Sequence, residues 1–293
     1  MTPTSFAMVM LAGLIHAIWN IAAKKAGGDG RFACFANLLL MLIWAPVGIY
    51  VGWQVVPLWG WKEWSFIVAS GVIHNLYFMT LLRGYREADL TVVYPLARGT
   101  GPLISSFAAL FLLGEKISLP GVCGILAVVT GVFLIAGGPG LFRAAMLPET
   151  RRRIQQGIYY GVLTGMLIAS YTLLDGYAVK VLLMSPILLD YISNFIRSAL
   201  LLPVVLRDLP TARTLWRAQW KYVVIVAAIS PISYALVLFA MQTAPLSHVA
   251  PAREVSMLFA ALLGGHLLGE GDRWLRITGA LCIAGGVIAL GIG

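Results

Sequence analysis

The chain has 293 residues, of which 60% are hydrophobic and 11% are charged, and its formal net charge is +9. This composition excludes an ordinary soluble domain and predicts an integral membrane protein. The positive charge does not indicate a nucleic-acid partner. The basic residues lie mainly in short loops, as is usual in membrane proteins, and form no basic stripe on a soluble surface.

About 20 apolar residues cross a bilayer as one helix. The chain contains ten such stretches, which cover residues 4–23, 32–53, 64–82, 90–113, 119–138, 155–176, 184–206, 222–241, 244–268 and 274–293. They lack the alternating polarity of membrane β-strands. We therefore predict an all-α fold of ten transmembrane helices. The first helix is expected to stay in the mature protein, because Lys24 and Lys25 follow its apolar run instead of preceding it.

The loops on alternate sides of these helices differ strongly in charge. One side carries only Lys62, Lys116 and Lys180. The other side carries fifteen basic residues: Lys24, Lys25, Arg31, Arg83, Arg86, Arg143, Arg151, Arg152, Arg153, Arg207, Arg213, Arg217, Lys221, Arg273 and Arg276. Positively charged loops stay in the cytoplasm. The count therefore predicts that both termini of this multi-pass protein face outward from the cell membrane.

The second half of the chain repeats the first at a distance of 155 positions. Arg98 recurs as Arg253, and Glu115 recurs as Glu270. Glycines match as well: Gly124 with Gly279, Gly131 with Gly286 and, more weakly and at a slightly different distance, Gly13 with Gly165. An odd number of helices in each copy inverts the second copy in the membrane, as in many secondary transporters. We predict two inverted five-helix repeats, 1–138 and 155–293, joined by a linker at 139–154 and enclosing a central cavity.

Several motifs resemble those of the EamA-type drug/metabolite transporter superfamily. They are Leu113-Gly114-Glu115, Leu268-Gly269-Glu270, the run from Tyr94 to Pro102, and His16-Ala17-Ile18-Trp19-Asn20. The resemblance covers essentially the whole chain. It implies a ten-helix carrier whose cavity is lined by helices 1, 3, 4, 6, 8 and 9, with helices 5 and 10 at the periphery. It does not specify a substrate. Members are usually drawn with cytoplasmic termini, which is opposite to the loop-charge prediction.

Arg98 and Arg253 are the main candidates for substrate binding. A charge at membrane depth costs about 2.5–3.5 kcal/mol on insertion scales and usually marks a functional site. A guanidinium group presents a fork of donors that suits carboxylate or phosphate oxygens. The two arginines therefore either clamp an anion or serve as structural charges in internal ion pairs. Tyr94 lies one helical turn before Arg98 and shares its face.

Acidic residues within the apolar stretches are candidates for coupling or charge pairing. Glu254 either partners an arginine of another helix or carries a coupling proton. Asp175 is either an interfacial carboxylate or a site for a substrate amine. A cation in one half and a cation beside a carboxylate in the other would suit a zwitterionic substrate. The seventh helix carries a polar stripe, expected to hold helices together, that consists of Asp190, Asn194 and Arg197.

Aromatic, amide and imidazole side chains complete the candidate binding site. They are His16, Trp19, Asn20, His74, Tyr77, Tyr171, Tyr234 and His248. Aromatic rings stack on substrates or attract cations through their faces. Each histidine is either a hydrogen-bonded core residue or a proton carrier.

These residues favour a secondary active transporter that moves a small anionic or zwitterionic metabolite by alternating access, with a proton or an exchange substrate as coupling partner. The prolines of helices 4 and 9 make these helices the expected hinges. Alternatives are the same fold with a hydrophobic or cationic substrate and structural arginines, an intramembrane enzyme, or a channel. The sequence has no Walker A, His-Glu-x-x-His or Gly-x-Ser-x-Gly motif. We therefore predict no catalytic residue, cofactor or metal, and oligomeric state stays open.

Overall fold

The computed structural model describes residues 1–88, 90–135, 138–140, 148–263 and 273–292. These ranges are helical and contain no strand, which confirms the predicted all-α class. The helices are α1 (Pro3–Ala26), α2 (Gly30–Ile43), α3 (Ala45–Gly52), α4 (Trp61–Glu87), α5 (Leu90–Leu112), α6 (Leu119–Ile135), α7 (Pro148–Lys180), α8 (Pro186–Leu206), α9 (Leu209–Thr243), α10 (Leu246–Ala252), α11 (Val255–Leu263) and α12 (Arg273–Ile292), with a short 3₁₀ turn at Val56–Leu58.

Five helical segments are long and apolar enough to cross a membrane, namely Pro3–Ala26, Trp61–Glu87, Arg151–Lys180, Pro186–Leu206 and Leu209–Thr243. A sixth crossing is obtained when α2 and α3, which are bent by 58° relative to each other, are taken as one. The helices Leu119–Ile135 and Ile277–Ile292 are apolar but shorter. Each of the ten predicted apolar stretches overlaps one or two of these helices, in chain order. By length and apolarity, however, only five or six crossings are identified within the described ranges.

Two of the predicted stretches are broken helices. The second bends at Trp44, whose indole Nε1 donates a hydrogen bond to the carbonyl of Ala228 at 3.2 Å. The ninth stops at Ala252 and resumes at Val255. In contrast, α5 stays helical across two prolines, although prolines made both the fourth and the ninth stretch expected hinges. A proline removes one amide donor but has a helical φ, so the surrounding packing decides whether the helix breaks.

Glycines bring α6 and α12 into direct contact. A Cβ added at Gly131 would lie 2.5 Å from the carbonyl oxygen of Gly279, and one added at Gly286 would lie 2.8 Å from that of Gly124. Low residue numbers on one helix meet high numbers on the other, so the two helices are antiparallel. Small residues permit such close packing in membranes. The glycine-rich faces of these helices therefore pack within one chain.

A second pair of close approaches joins the two halves. Gly165 of α7 lies against Thr100 of α5, whose hydroxyl would overlap a Cβ at this glycine. Gly13 of α1 lies against Val255 of α11, whose Cγ1 would be 2.5 Å from a Cβ. Val255 is the repeat equivalent of Thr100, at the distance of 155 positions. Each half therefore receives the first helix of the other half in the same way.

The Leu113-Gly114-Glu115 motif ends one helix and caps another. Gly114 has a φ of 63°, in the left-handed region that favours glycine, and it terminates α5. The Glu115 carboxylate accepts hydrogen bonds from the amides of Leu246 at 2.7 Å and Ser247 at 2.9 Å, in the first turn of α10. It also accepts one from Lys180 Nζ at 2.9 Å.

Burial raises the pKa of Glu115, but the Ser247 amide and the Lys180 ammonium outweigh burial, so its pKa lies below the usual value. The corresponding motif with Glu270 lies outside the described residues.

Both ends of the chain lie at one face of the helix bundle. The amino group of Met1 donates a hydrogen bond to the carbonyl of Gly291 at 3.0 Å. Two loops with predicted cytoplasmic positions meet as well, since Arg31 Nη2 lies 3.1 Å from a carboxylate oxygen of Asp208. An even number of membrane crossings returns a chain to the face from which it started.

Candidate functional site

The break between α10 and α11 brings Glu254 against Arg98 of α5. Arg98 Nε lies 2.8 Å from Glu254 Oε2, and the two side chains are 12% and 1% exposed. Arg98 Nη2 donates a hydrogen bond to Ser256 Oγ at 3.0 Å. The Nε–H makes no well-aligned hydrogen bond, so the attraction between the pair is mainly Coulombic. Glu254 therefore has an arginine partner on another helix, one of the two roles that the sequence left open.

Arg253 is also buried, with 5% of its surface exposed. Among the described residues, none forms an ion pair or a hydrogen bond with its guanidinium group, and its buried Nε lacks an acceptor. A buried ion without a partner costs several kcal/mol. Since Glu254 offsets only one of the two arginine charges, this group keeps one positive charge in excess. A guanidinium fork is shaped for carboxylate or phosphate oxygens.

A second polar group surrounds Asp175, which is completely buried on α7. The hydroxyl of Tyr234 donates a hydrogen bond to Asp175 Oδ2, and His74 Nε2 lies 4.0 Å from the same oxygen. The His74 ring stacks on Tyr171 with ring centroids 3.9 Å apart, and Tyr77 meets Tyr171 edge-on at 5.6 Å. Helices α4, α7 and α9 thus bring five of the predicted site residues together.

The polar stripe of α8 forms a third group, in which the two charged side chains pair with each other. Arg197 Nη2 donates to Asp190 Oδ1 at 2.8 Å and to Ser193 Oγ at 3.0 Å. Asn194 Nδ2 donates to the backbone carbonyl of Asp190 at 2.8 Å. These contacts lie within one helix, and Arg197 and Asp190 are close enough to Asp175 to interact with it electrostatically. The ion pair of Arg197 with Asp190 offsets both charges, while Asn194 Oδ1 and Arg197 Nε have no partner among the described residues.

The remaining predicted residues are placed separately. On α1, His16 and Trp19 meet edge-on with centroids 4.7 Å apart, and Asn20 Nδ2 donates to the His16 carbonyl at 3.0 Å. Tyr94 is 37% exposed, although it shares the helix of Arg98. His248 lies at the other side, where its Nε2 would be 2.7 Å from a Cβ at Gly121 of α6. The structure therefore does not bring His248 to the arginines.

The two best-defined cavities lie away from both arginines. One, of about 210 Å³, is lined by Phe35, Val205, Leu209, Ala212, Arg213, Trp216 and Arg217. The other, of about 200 Å³, is lined mainly by apolar side chains of α2, α8 and α9 and by Asp190. The guanidinium groups of Arg98 and Arg253 are enclosed by helices in this conformation.

Comparison with known proteins decides the family. The sequence pattern of the EamA-like transporter family matches the chain twice, at residues 4–137 and 155–292. The two matches together span nearly the whole chain. The chain belongs to the EamA-like transporter family. It is therefore a multi-pass membrane transporter with a two-repeat architecture, as the motifs predicted. Among curated proteins, no sequence matches this chain.

The fold of this EamA-like transporter also occurs in a protein of known crystal structure. The two superpose with a TM-score of 0.75, covering 100% of this chain and 98% of the other, at 17% sequence identity. At this identity the likeness concerns the fold alone.

Sequence reasoning about this EamA-like transporter missed the small hydroxyl residues around its charges. Ser256 contacts Arg98, Ser193 contacts Arg197, and the Ser70 carbonyl oxygen lies 2.9 Å from His74 Nδ1. Ser70 and His74 are four residues apart, as are Ser193 and Arg197, which places each pair on one helix face. That spacing is a signal that the sequence contains. The Ser256 contact joins distant segments and has no local signal.

Proposed function

We propose that this transporter is a secondary carrier for a small anionic or zwitterionic metabolite, and that Arg253 is its main anion-binding group. The observation that carries the proposal is a buried guanidinium that has no contacting counter-ion among the described residues, beside the Arg98–Glu254 pair. A carboxylate or phosphonate bound at Arg253 would supply a contacting counter-ion and two parallel hydrogen bonds. Glu254 and the rings of Tyr77 and Tyr171 would then suit the ammonium group of a zwitterion.

The architecture that we propose is ten membrane crossings in two inverted repeats, 1–138 and 155–293, joined by 139–154. The contacts of Gly13 with Val255 and of Gly165 with Thr100 support this arrangement, because the two-fold axis of an inverted repeat would interchange them. The antiparallel pairing of α6 with α12 is symmetric in the same sense. Chain ends that meet at one face agree with an even number of crossings.

Alternating access would open the enclosed arginines to one side at a time. The two broken helices are the places where we expect the chain to bend during this movement. They are the 58° bend between α2 and α3 and the break at Arg253 and Glu254. Because the second break carries the binding charge, movement there would change the position of Arg253 relative to Arg98. A ligand bridging the halves would shift this equilibrium by its differential affinity for the two states.

We also propose that both termini lie outside the cell, on the strength of the fifteen-to-three charge bias of the loops. A reporter enzyme that is active on only one side of the membrane, fused after Gly293, tests this. Activity of a cytoplasmic reporter at this position would reverse the orientation.

Ligand binding to the purified transporter tests the function. Thermal unfolding would be followed with L-glutamate, succinate, 2-aminoethylphosphonate, glucose 6-phosphate and choline, because a ligand of the folded state at a hundredfold its Kd stabilises by about 2.7 kcal/mol. We expect stabilisation by an anion or zwitterion that Arg253→Gln abolishes. Arg213→Gln, which alters an exposed arginine on α9, is the control. Undiminished binding by Arg253→Gln would refute the assigned role of Arg253.

A second candidate is the same fold acting on a hydrophobic or cationic metabolite. The apolar cavity of about 200 Å³ that includes Trp44, Phe239 and Asp190 favours it. In that case choline, and none of the anions, would stabilise the protein.

A further inference from the structure

The pair of Asp175 and His74 differs from the other buried charges of this transporter. Every other buried carboxylate described above has an arginine or lysine within hydrogen-bonding distance. Asp175 is 0% exposed. Its Oδ2 accepts a hydrogen bond from the Tyr234 hydroxyl, the Ser70 hydroxyl also interacts with the carboxyl group, and His74 Nε2 lies 4.0 Å from Oδ2. Its Oδ1 has no hydrogen-bond partner among the described residues.

The tautomer of His74 follows from its other contact. His74 Nδ1 lies 2.9 Å from the backbone carbonyl oxygen of Ser70, and a carbonyl oxygen only accepts hydrogen bonds. The proton of the neutral ring is therefore on Nδ1. The nitrogen that gains or loses a proton is Nε2, and Nε2 is the one that faces Asp175. Nε2 and Oδ2 are 4.0 Å apart, beyond hydrogen-bonding distance, so a proton bound by the pair is on one group or the other. It forms either a carboxylic acid beside a neutral imidazole or a carboxylate beside an imidazolium.

Burial, Arg197 and Arg253 disfavour the imidazolium form, so a proton bound by the pair resides mainly on the Asp175 carboxyl group beside a neutral imidazole. Two contacts nevertheless lower the cost of the other form. The face of the Tyr171 ring stacks on His74, and an aromatic face stabilises a cation. Tyr234 donates to the carboxyl group of Asp175 in either form. The charged and titratable groups that face the pair are Tyr171 on α7, Arg197 and Asp190 on α8, Tyr234 on α9, and Arg253 at the break after α10. Arg197 and Asp190 neutralise each other.

We propose that Asp175 and His74 share one exchangeable proton, and that this proton is the coupling ion of the carrier. The proton enters from water on one side, binds at His74 Nε2 or the Asp175 carboxyl group, and leaves to water on the other side. No other bond changes. This inference rests on the proposed anion transport, since it assigns the coupling partner of the same site.

The balance of buried charge explains why proton and anion would move together. Summed over the described residues of both groups, the charges of Arg98, Arg197 and Arg253 equal those of Glu254, Asp190 and an ionised Asp175. Among these described residues, Asp175 forms no ion pair with Arg253, so Arg253 lacks a contacting counter-ion although the region as a whole has no net charge. A proton alone leaves one positive charge in excess, and a monovalent anion alone leaves one negative charge. Both together restore neutrality. Because a net buried charge is costly, the empty and doubly loaded forms close most readily, which is the requirement for symport.

Proton binding is measured directly on the detergent-solubilised full chain by potentiometric titration. The wild type should bind one more proton per chain than Asp175→Asn, which keeps the shape of the side chain and lets Tyr234 donate to the amide oxygen. Asp208→Asn is the control, because Asp208 is a half-exposed loop carboxylate paired with Arg31. Equal titration of the wild type and Asp175→Asn near neutral pH would overturn the proposal.

His74→Gln keeps the carboxyl group and provides a second, independent test. Because glutamine cannot hold the proton, the titration step that depends on Asp175 should move to lower pH. An unchanged step would mean that the two residues share no proton.

Transport by proteoliposomes separates failure of this inference from failure of the proposed function. An internal pH dye is recorded while L-glutamate, succinate and 2-aminoethylphosphonate are added outside. Anion uptake with acidification that Asp175→Asn abolishes supports the symport. Anion uptake without acidification refutes the coupling and leaves the proposed carrier intact. An extra proton on Asp175 with no anion taken up refutes the proposed function instead.

Discussion

Replacing Glu115 by glutamine should destabilise the protein by removing a charged cap between its two halves. The carboxylate side chain is 6% exposed and accepts hydrogen bonds from two amides of α10 and from Lys180. A hydrogen bond to a charged group contributes about 1.5–3 kcal/mol. Glutamine keeps the length and one acceptor oxygen but loses the charge. Because the Lys180 side chain is 30% exposed, water partly replaces the hydrogen bond that its ammonium group loses.

We therefore expect a loss of about 2–3 kcal/mol, at the scale of one strong charged hydrogen bond. For a chain of this size that corresponds to a decrease in Tm of at least about 4 °C. Thermal unfolding in detergent measures it. Glu63→Gln is the matched control, because Glu63 caps α4 by accepting a hydrogen bond from the Gly60 amide at 2.8 Å, and this contact is exposed to solvent. Its Tm should change by much less.

The pH dependence of the same variant tests the electrostatic reason. The folded pKa of Glu115 lies below its usual value, so its stabilising contribution is present above the unfolded pKa, about 4.3. It is lost as the pH falls through the lower, folded pKa. The Tm difference between wild type and Glu115→Gln should therefore be constant near neutral pH and shrink in acid. Equal melting of Glu115→Gln and Glu63→Gln at neutral pH would refute the capping argument.

Two further predictions concern helix packing and the buried ion pair. Gly286→Ala should destabilise the protein by about 1–3 kcal/mol through overpacking, because its Cβ would lie 2.8 Å from the Gly124 carbonyl oxygen. Gly285→Ala is the control and should be tolerated, because no described atom lies within 4 Å of the Cβ position. Comparable Tm values for the two variants would contradict the close contact. Arg98→Gln should cost about 3–5 kcal/mol because it strands a buried carboxylate, and adding Glu254→Gln should recover part of that Tm loss. No recovery in the double variant would show that the two side chains are not coupled.

Local sequence pattern was sufficient for the helices and the family but not for the site. The motifs at Leu113-Gly114-Glu115 and around Arg98 pointed to the family because they resemble its motifs, and their recurrence at a constant distance predicted the duplication. The spacing of Asp190, Asn194 and Arg197 predicted the polar stripe of α8, since residues three and four apart share a helix face. The pairing of Arg98 with Glu254 required two segments more than 150 positions apart to meet, and periodicity within either segment contains no information about the other.

Two predictions, the hinge in α5 and the position of His248, differ from the structure. Two prolines predicted a hinge in α5, yet that helix is continuous, while the equivalent region after Pro251 breaks. His248 was grouped with the other histidines because of its position in an apolar stretch, but the structure places it against α6. In both cases the sequence specified a residue type with two physical outcomes, and the neighbouring helices selected one.

By itself the sequence determined that this is a duplicated, all-helical membrane transporter, because hydrophobic length, loop charge and a repeat at a constant distance are properties of the chain alone. Only the tertiary structure decided which buried charges are paired. Glu254 pairs with Arg98, Arg253 has no contacting partner in the part of the chain that the structure describes, and Asp175 faces a histidine at 4.0 Å. The reason is physical: the energy of a charge in a low-dielectric interior depends on the few ångströms to its nearest counter-charge, and helices from both halves set that distance.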